Sequence, residues 1–304
     1  MQKLTIALDW TPNINHIGFF VAKNKGFYAQ ADLEIELLDP SQDNYKTTPA
    51  KKVELGQADF ALCPTESIIS YRTKLNSFPL IAIAAVLQSD LSAIVVKKES
   101  GINSPKDLDG KIYSSYKARY EDGIVREMIK NDGGEGNLEI IYPDKLGIWN
   151  TLLEQKAHAT WIFLNWEGVE VEKTQHEFNY FKLKDYGIPY SYSPVIATNE
   201  NLIDDNLQAY QDFLKATKKG FLSCIENPTE AIQILKNELP EKDQTIDLNS
   251  ALEITSGHFG NTDNWGIIKK ENLQDFLDWI KETGLENADI SITEIFKDIL
   301  TAKN

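Results

Sequence analysis

Cysteine and methionine are scarce in this chain, with two of each among 304 residues. Cys63 and Cys224 lie far apart, so the sequence contains no disulfide framework and no cysteine spacing typical of a metal site. The four histidines form neither an HxxxH motif nor a mixed Cys/His pattern: His16, His158, His176 and His258. A structural metal ion is therefore not expected, and no other cofactor is predicted.

Basic residues are also in the minority, with 31 Lys and Arg against 46 Asp and Glu and a net charge of −15. No basic block could contact a phosphate backbone, so nucleic acid is not an expected partner. No apolar run approaches the ~20 residues of a membrane span. Met1 leads directly into an apolar strand, which leaves no room for a signal peptide. The expected location is periplasmic or extracytoplasmic if a signal segment has been removed, and cytoplasmic if Met1 is the native start.

The stretch from Asp9 to Val21 is the most informative part of the chain. It follows a strand-like apolar run, passes through a polar loop and continues as an amphipathic helix. In open α/β sheets such a loop lies at the carboxyl end of the strand, where small ligands bind. Trp10 could stack on a flat ligand, while Asn13 and His16 could hydrogen-bond to it. The alternatives are that Trp10 is a core residue and Asn13 a turn or helix-entry residue.

A second loop repeats this layout after the strand predicted at 157–163. It contains Asn165, Trp166 and Glu167, again an aromatic ring, an amide and a carboxylate at a strand end. Because the two loops belong to separate βα series, they indicate two lobes facing one cleft. Chain crossings near 87–92 and 190–198 then predict an α/β, two-lobed type II fold with a hinged cleft. The predicted boundaries are 1–90 with 195–304 for the first lobe and 91–194 for the second.

Helices are predicted within both lobes from apolar periodicity and capping residues. In the first two-thirds of the chain they include 44–55, 65–73, 120–130 and 145–155. After Glu200 the chain reads as helix throughout, at 202–226, 228–239, 248–259, 270–283 and 291–302.

Three further groups of polar residues are candidates for the site. Thr65 and Glu66 open a helix after the third strand, where Glu66 is either a ligand contact or an acid that compensates the helix dipole. Lys117 and Arg119 follow small hydroxyl residues before a helix, so this segment is either an anion site or a solvated basic turn. Tyr190 lies in the tyrosine-rich second crossing.

The segment Leu8-Asp-Trp-Thr-Pro-Asn-Ile-Asn-His16 resembles the N-terminal signature of the thiamine-pyrimidine family, which has the periplasmic-binding-protein fold. That family includes bacterial formylaminopyrimidine-binding proteins and the fungal pyrimidine synthase. The resemblance covers most of the chain, including Lys25–Tyr28, Gly56–Phe60, Asp107–Lys111 and Asn264-Trp265. Those four segments are shared with binding proteins for sulfonates, nitrate and aromatic compounds. Only the opening loop and Asn165–Gly168 indicate the pyrimidine branch, in which aromatic rings stack on the ligand and a carboxylate meets its exocyclic amine.

Synthase-like members of the family use a lysine that holds pyridoxal phosphate, a histidine consumed as substrate and a cysteine-rich segment. The corresponding positions fall near Cys63, near Ser67 and within the cysteine-free segment 187–192. No nucleophile elbow, catalytic triad or phosphate-binding glycine loop is visible either. A binding protein is therefore favoured over an enzyme.

The resemblance and the two loops together predict a solute-binding protein for a thiamine-related aminopyrimidine that delivers its ligand to an ABC permease. The alternatives are a cytoplasmic enzyme of pyrimidine-precursor synthesis and a binding protein for another small heterocycle or a sulfonate. Trp10 and either Trp161 or Trp166 are predicted to stack on the ring, with Glu66 or Glu167 accepting from the amine. Further predicted contacts come from six residues: Asn13, His16, Thr65, Tyr116, Asn165 and Tyr190. Lys117 would close over the substituent arm or, with Arg119, hold a phosphate.

Overall fold

The computed structural model describes residues 1–144, 148–172, 174–190 and 192–301. The chain divides into two compact units. Unit 1 comprises Met1–Asp90, Ser191–Leu273 and Ala288–Asn304. Unit 2 comprises Leu91–Tyr190 and Gln274–Asn287.

Unit 1 is built on a five-stranded sheet in the order β2-β1-β3-β10-β4. β1 pairs in parallel with both β2 and β3, whereas β10 runs antiparallel to β3 and β4. β3 and β4 are buried along their whole length, as expected for strands covered on both faces. The strands are β1 (Gln2–Ala7), β2 (Leu33–Leu38), β3 (Phe60–Cys63), β4 (Leu80–Ala85) and β10 (Val195–Asn199).

Unit 2 contains a second five-stranded sheet, in the order β7-β6-β8-β5-β9. β6 pairs in parallel with β7 and β8, and β5 runs antiparallel to β8 and β9. Every residue of β5 is buried, which places this strand in the core of the unit. The strands are β5 (Ser92–Lys97), β6 (Ile112–Ser114), β7 (Glu139–Ile141), β8 (Ala159–Phe163) and β9 (Phe178–Phe181).

Helices follow most of the strands and cover the sheets. Those before β10 are α1 (Ile17–Asn24), α2 (Phe27–Gln30), α3 (Pro49–Glu54), α4 (Thr65–Thr73), α5 (Glu121–Asn131), α6 (Ile148–Leu153) and α7 (Glu167–Val171). Those after β10 are α8 (Ile203–Glu226), α9 (Pro228–Lys236), α10 (Leu248–Ser256), α11 (Lys270–Glu282) and α12 (Ile292–Ile295). None of the helices in the described part of the chain is long and apolar enough to cross a membrane.

Helix α8 connects the sheet of unit 1 to helix α1. The ring of Phe213 in α8 stacks on Phe60 of β3, with 4.4 Å between ring centroids. Two turns further along, a Cβ built on Gly220 would lie 2.0 Å from the carbonyl oxygen of Gly18 in α1. The two helix backbones therefore approach so closely that only glycine fits at position 220. This contact fixes α1 and, with it, the loop that precedes α1.

Two helix predictions were wrong in extent, and one strand was missed. The helix predicted at 291–302 is α12 alone, because Phe296 leaves the helical conformation and bridges Ala82 beside β4. The helix predicted at 44–55 shortens to α3, since Pro49 sets its start and Asn44 and Tyr45 have positive φ. β9 was not predicted, although it pairs with β5. Positions 145–147 of the helix predicted at 145–155, residue 191 of the predicted crossing segment and residue 302 lie outside the described residues.

The sequence predicted that all of the C-terminal helices belong to the first lobe. In the structure they are divided between the two units. Residues 274–287, most of α11 and the turn after it, belong to unit 2. Two contacts hold this segment there: the ring of Phe276 meets that of Tyr190 edge-on at 5.5 Å, and Glu286 pairs with Arg119. Amphipathic periodicity predicts that a helix buries one face but carries no information about which neighbour it packs against.

Candidate functional site

The β1 loop, residues 8–16, joins β1 to α1 in unit 1. Asn13 caps the short 3₁₀ helix Ile14–His16: its Oδ1 accepts from the Asn15 N–H at 2.8 Å and its Nδ2 donates to the Thr11 carbonyl at 3.0 Å. This is the helix-entry alternative considered from the sequence. Asn13 therefore shapes the loop through both of its polar atoms.

The imidazole of His16 is completely buried and has a partner at each nitrogen. Nδ1 accepts from the backbone N–H of Asn13 at 3.2 Å, and Nε2 lies 2.7 Å from Oδ1 of Asp9. The side chain of Asp9 is 25% exposed. The structure thus gives His16 a role different from the predicted one, because both nitrogens expected to bind a ligand are engaged within the loop.

Trp10 is half-buried and packs against a second aromatic side chain. Its ring lies 5.2 Å from that of Tyr45, with the planes tilted by 52°. Tyr45 has positive φ and follows the turn after β2, and it was not identified from the sequence. Tilted aromatic pairs such as this one provide apolar surface at a defined angle, which suits a ring-binding site.

The carboxyl end of β3 lies next to that of β1, because the two strands are parallel neighbours. Ala7 pairs with Ala61, so the register continued by two residues brings Asp9 beside Cys63. The pKa of the buried Cys63 thiol is raised first by burial and then by the charges of Asp9 and Glu66. These two carboxylates therefore lie at one edge of the sheet.

Thr65 and Glu66 begin α4 at that same edge, and both are buried. The Thr65 hydroxyl donates to the Tyr192 carbonyl at 2.8 Å, and the Thr65 N–H donates to the same oxygen. Thr65 therefore ties α4 to the segment that enters β10. Glu66 lies in the first turn of α4, where a negative charge compensates the helix dipole. Its negative charge also raises the pKa of the Cys63 thiol.

In unit 2, the β6 loop, residues 115–120, is organised by Glu121, the first residue of α5. Glu121 accepts from the Tyr113 hydroxyl at 2.8 Å and from the backbone N–H groups of Tyr116 and Ala118 at 3.0 and 3.3 Å. Its side chain is buried, and burial raises its pKa more than these donors lower it. Glu121 was missed from the sequence, although it is an acid in the first turn of a helix, as Glu66 is.

The two basic residues of the β6 loop, for which a phosphate contact was one of two alternatives, differ in their surroundings. Arg119 pairs with Glu286, with Nη2 2.8 Å from Oε2, and its guanidinium lies 4.9 Å from the ring centre of Tyr120. Lys117 is exposed, has φ of +64° and places its Nζ 5.4 Å from the ring centre of Tyr142. Because a carboxylate already compensates Arg119, the solvated basic turn considered from the sequence describes this segment better.

The β8 loop, residues 164–167, follows the strand that is the parallel neighbour of β6. Asn165 and Trp166 are buried, and Oε2 of the half-buried Glu167 accepts from the Phe163 N–H at 3.0 Å. The pKa of Tyr116 is raised well above its usual value by burial and then by the negative charges of Glu167 and Glu121. The β6 and β8 loops therefore meet at one edge of the second sheet.

Trp161 and Tyr190 also come together in unit 2. Trp161, in β8, is 8% exposed, and its ring meets that of Tyr190 edge-on at 5.3 Å. Trp166 is 4% exposed and occupies the N-cap position of α7. Among the ring contacts described for residues 1–144, 148–172, 174–190 and 192–301, Trp161 has an aromatic partner and Trp166 has none.

The predicted residues thus form two groups, one in each unit. Unit 1 brings together Trp10, Glu66 and the unpredicted Asp9 at the ends of β1 and β3. Unit 2 brings together Tyr116 and Glu167, and it pairs Trp161 with Tyr190. Asp9 was passed over because Asp-Trp-Thr-Pro-Asn was interpreted as turn chemistry, although its place directly after β1 is the signal that identified Trp10.

The buried Glu121 carboxyl makes a testable contribution to the pH dependence of stability. Its folded-state pKa lies above the ordinary value of about 4.3, so between these two values the folded chain holds a proton that the unfolded chain has released. This contribution is complete below pH of about 4.3 and is lost as the pH rises through the folded-state pKa. We expect the free energy of unfolding of the wild type, relative to Glu121→Gln, to fall as the pH rises across this interval.

Urea denaturation of both proteins at several pH values measures that difference. Glu127→Gln, in the same helix but with its carboxylate in an ion pair with Lys130, is the matched control and should not reproduce the trend. If the difference in the free energy of unfolding rose with pH instead, the three hydrogen-bond donors would lower the pKa of Glu121 more than burial raises it.

The residues at the pyridoxal phosphate positions of the synthase-like members do not fit that cofactor. The resemblance places the lysine position near Cys63, whose thiol is buried at the end of β3 with a raised pKa. A thiol cannot form the imine by which a lysine holds the cofactor aldehyde. The resemblance places the histidine position near Ser67, in α4. Within the described residues, no group of three His, Cys, Asp or Glu side chains could hold a metal ion.

Comparison with known proteins places these two groups of residues in context. The chain is 25% identical to the formylaminopyrimidine-binding protein of Halalkalibacterium halodurans, over 97% of this chain and 91% of that protein. It is 22% identical to the 4-amino-5-hydroxymethyl-2-methylpyrimidine phosphate synthase of Legionella pneumophila, over 79% of this chain and 75% of that one.

Among solved structures, the periplasmic nitrate-binding protein NrtA from Synechocystis PCC 6803 superimposes with a TM-score of 0.72 at 14% identity, covering 99% of this chain and 87% of that one. This similarity confirms the predicted α/β, two-lobed fold of periplasmic binding proteins. The family model described as "NMT1/THI5 like" matches residues 13–231, more than half of the chain, and this range includes Glu66 and the candidate residues of unit 2. The resemblance drawn from the opening loop is therefore confirmed, and the chain belongs to the NMT1/THI5-like family.

Proposed function

We propose that this protein is a solute-binding protein for a thiamine-related aminopyrimidine, of the formylaminopyrimidine or hydroxymethylpyrimidine class. The observation that carries the proposal is the composition of the strand ends in unit 1. There the half-buried Trp10 ring accompanies two carboxylates, Asp9 and Glu66, whose charges both act on Cys63. An aromatic surface with nearby anionic acceptors suits a flat ring with an exocyclic N–H donor.

The same charges argue against an anionic ligand. Nitrate or a sulfonate beside two carboxylates would meet like-charge repulsion at an edge where the low dielectric of the protein strengthens it. The similarity to a nitrate-binding protein concerns the fold, and at 14% identity it does not extend to ligand chemistry. The curated relative named for formylaminopyrimidine, which matches along nearly the full chain, supports the heterocyclic ligand.

We propose ligand contacts in both units. In unit 1, Trp10 stacks on the pyrimidine, while Asn13, His16 and Thr65 hold the surrounding backbone through the hydrogen bonds described above. In unit 2, Trp161 with Tyr190 provides the second aromatic surface, and the segment of Tyr116 and Lys117 contacts the substituent. The buried amide of Asn165 satisfies a ring nitrogen. The amine is received by one of the carboxylates, Glu66 and Glu167 being the candidates from the sequence.

Delivery to an ABC permease, in the periplasm or another extracytoplasmic compartment, is part of the same proposal. Its support is the fold, which this chain shares with the ligand-binding component of an ABC-type import system from Staphylococcus aureus. The alternative of an enzyme of pyrimidine synthesis is supported by the synthase from Legionella pneumophila. The resemblance places the lysine and histidine positions near Cys63 and Ser67, where this chain has neither residue type, and that supports the binding protein over the enzyme.

Isothermal titration calorimetry tests the proposal directly. We expect formylaminopyrimidine or hydroxymethylpyrimidine to bind with a Kd of about 1 μM or below, equivalent to about −8 kcal/mol. Nitrate and an alkanesulfonate serve as anionic controls and should give no heat of binding. Absence of binding by both pyrimidines and by thiamine at millimolar concentration would refute the proposal, and binding of an anion alone would replace it with an anion carrier.

A further inference from the structure

Asp9 differs from the other carboxylates of the candidate site in how it is held. Its Oδ1 is bonded to Nε2 of His16 at 2.7 Å, and the side chain is 25% exposed while His16 is completely buried. The hydrogen bonds that the structure describes for residues 1–144, 148–172, 174–190 and 192–301 include none to Oδ2. One oxygen is therefore fixed by the protein, and the other is available as an acceptor.

The backbone decides which nitrogen of His16 carries the proton. The N–H of Asn13 can only donate, and it points at Nδ1 at 3.2 Å, so Nδ1 must present its lone pair. In the neutral imidazole the proton then resides on Nε2, which donates to Asp9. This tautomer follows from the 3₁₀ turn Ile14–His16, because that turn brings the Asn13 N–H and the ring of His16 together.

The other two carboxylates are less suited to receive a ligand. Glu167 uses Oε2 to accept from the Phe163 N–H at 3.0 Å, which links the start of α7 to the end of β8. Glu66 is 7% exposed and is the first-turn acid of α4. Asp9 follows β1, which lies between β2 and β3 in its sheet, and it directly precedes Trp10, so its carboxylate and the ring-stacking surface are adjacent in the chain.

We infer that Asp9 is the residue that accepts the exocyclic N–H of the ligand, and that His16 is a positioning residue that fixes the orientation of Asp9. The inference rests on the proposed function, since it assumes an aminopyrimidine ligand. A carboxylate already held by a buried donor loses little side-chain freedom when the ligand arrives, so more of the interaction contributes to affinity. The Asp9 carboxylate also makes the site selective for an amine over an oxo group at the same ring position. The carboxylate and an oxo group are both acceptors, so no hydrogen bond can form between them.

The test compares two probes, 4-amino-5-hydroxymethyl-2-methylpyrimidine and its 4-oxo counterpart, by calorimetry. The measured quantity is the ratio of their affinities, because a general structural defect weakens both ligands together and leaves the ratio unchanged. Asp9→Asn should reduce the preference for the amine at least tenfold. Asp59→Asn is the matched control and should leave it within threefold, because this half-buried carboxylate accepts from Thr5 directly before β3, outside the candidate loops. Glu66→Gln and Glu167→Gln test the two other candidate carboxylates.

Two variants at position 16 separate positioning from folding. His16→Ala removes the donor to Asp9 and should also reduce the preference for the amine. His16→Gln retains an N–H donor on a side chain of similar reach and should restore most of the preference. Circular dichroism checks that each variant is folded. If His16→Ala does not fold, the comparison between His16→Gln and the wild type together with the Asp9→Asn result decides the question.

Nitrogen-15 NMR of the wild type reads the tautomer without any ligand. A proton on Nε2 and none on Nδ1 is expected for His16, and the reverse would overturn the positioning role. If Asp9→Asn retains a preference for the amine within threefold of the wild type, the assignment to Asp9 is overturned. If Glu66→Gln or Glu167→Gln loses that preference, the role is assigned to that glutamate. Failure of the wild type to bind either probe would instead count against the proposed function, while the tautomer would still report on the Asp9–His16 geometry.

Discussion

Replacing Trp10 by alanine is expected to weaken aminopyrimidine binding at least tenfold while leaving the protein folded. The ring is half-buried and contacts Tyr45 at 5.2 Å, so its removal takes away a stacking surface more than a core side chain. A tenfold loss corresponds to about 1.4 kcal/mol. Aromatic pairs contribute about 0.5–1.5 kcal/mol beyond the area they bury, so a loss of this size requires only one such contact with the ligand in addition to its apolar area.

Trp149→Ala provides a matched control for this measurement. Trp149 is also half-buried and also packs on an aromatic ring, that of Phe178 at 5.5 Å, but it lies in α6, outside the candidate loops. Its replacement should leave affinity unchanged at a comparable cost in stability. Calorimetry gives the affinities, and thermal melts give the stabilities. If Trp10→Ala stays within about threefold of the wild type, which is less than ~0.7 kcal/mol, Trp10 is a structural residue and the ring-binding role must pass to unit 2.

Replacing Gly220 by alanine is expected to cause the largest loss of stability. The added Cβ would lie 2.0 Å from the Gly18 carbonyl oxygen and 2.8 Å from the Cβ of Ala22, so helices α1 and α8 must move apart. The obstructing atom belongs to the backbone and cannot rotate away. Overpacking of this kind costs about 1–3 kcal/mol and occasionally more, and we expect a value at or above the upper end of that range. Because α1 begins directly after the β1 loop, its displacement should also weaken ligand binding.

Gly257→Ala is the control for this substitution. Gly257 ends α10 with φ of −64°, and a Cβ there would meet no atom within 4 Å. The same chemical change should therefore be neutral or stabilising by up to about 1 kcal/mol. Urea denaturation of the two variants, with ligand affinity measured in parallel, distinguishes them. Equal stabilities for the two proteins would mean that α1 and α8 separate at little cost and that their close approach does not fix the loop.

The site was predictable where a side chain follows a strand directly. Trp10, Glu66 and Glu167 were identified because they stand at the ends of apolar runs, and the structure brings two of these runs together as parallel neighbours in unit 1, β1 and β3. The same rule would have identified Asp9. It could not have identified Tyr45, whose contact with Trp10 depends on the conformation of a turn 35 positions further along the chain. The residues next to Trp10 in the sequence do not indicate such a contact.

Hydrogen-bond partners were the least predictable part of the site. His16 and Arg119 have the chemistry of ligand-binding residues, and only for Arg119 did the sequence leave an alternative open, that of a solvated basic turn. In the folded chain His16 is hydrogen-bonded to Asn13 and Asp9. Arg119 is hydrogen-bonded to Glu286, which is 167 residues away in the sequence. A donor is available to a ligand only after its partners within the protein have been satisfied, and those partners are set by packing.

The sequence by itself determined the α/β class, the family and the order of most strands and helices, because strand ends, caps and the Asp9–His16 motif are formed by consecutive residues. The tertiary structure alone decided that residues 274–287 join unit 2, that the chain after α12 leaves the helical conformation beside β4, and that Asp9 is held by a buried histidine. Each of these depends on which surfaces meet after folding. Periodicity specifies that a face is buried, whereas the identity of its neighbour is set by the packing of the whole chain.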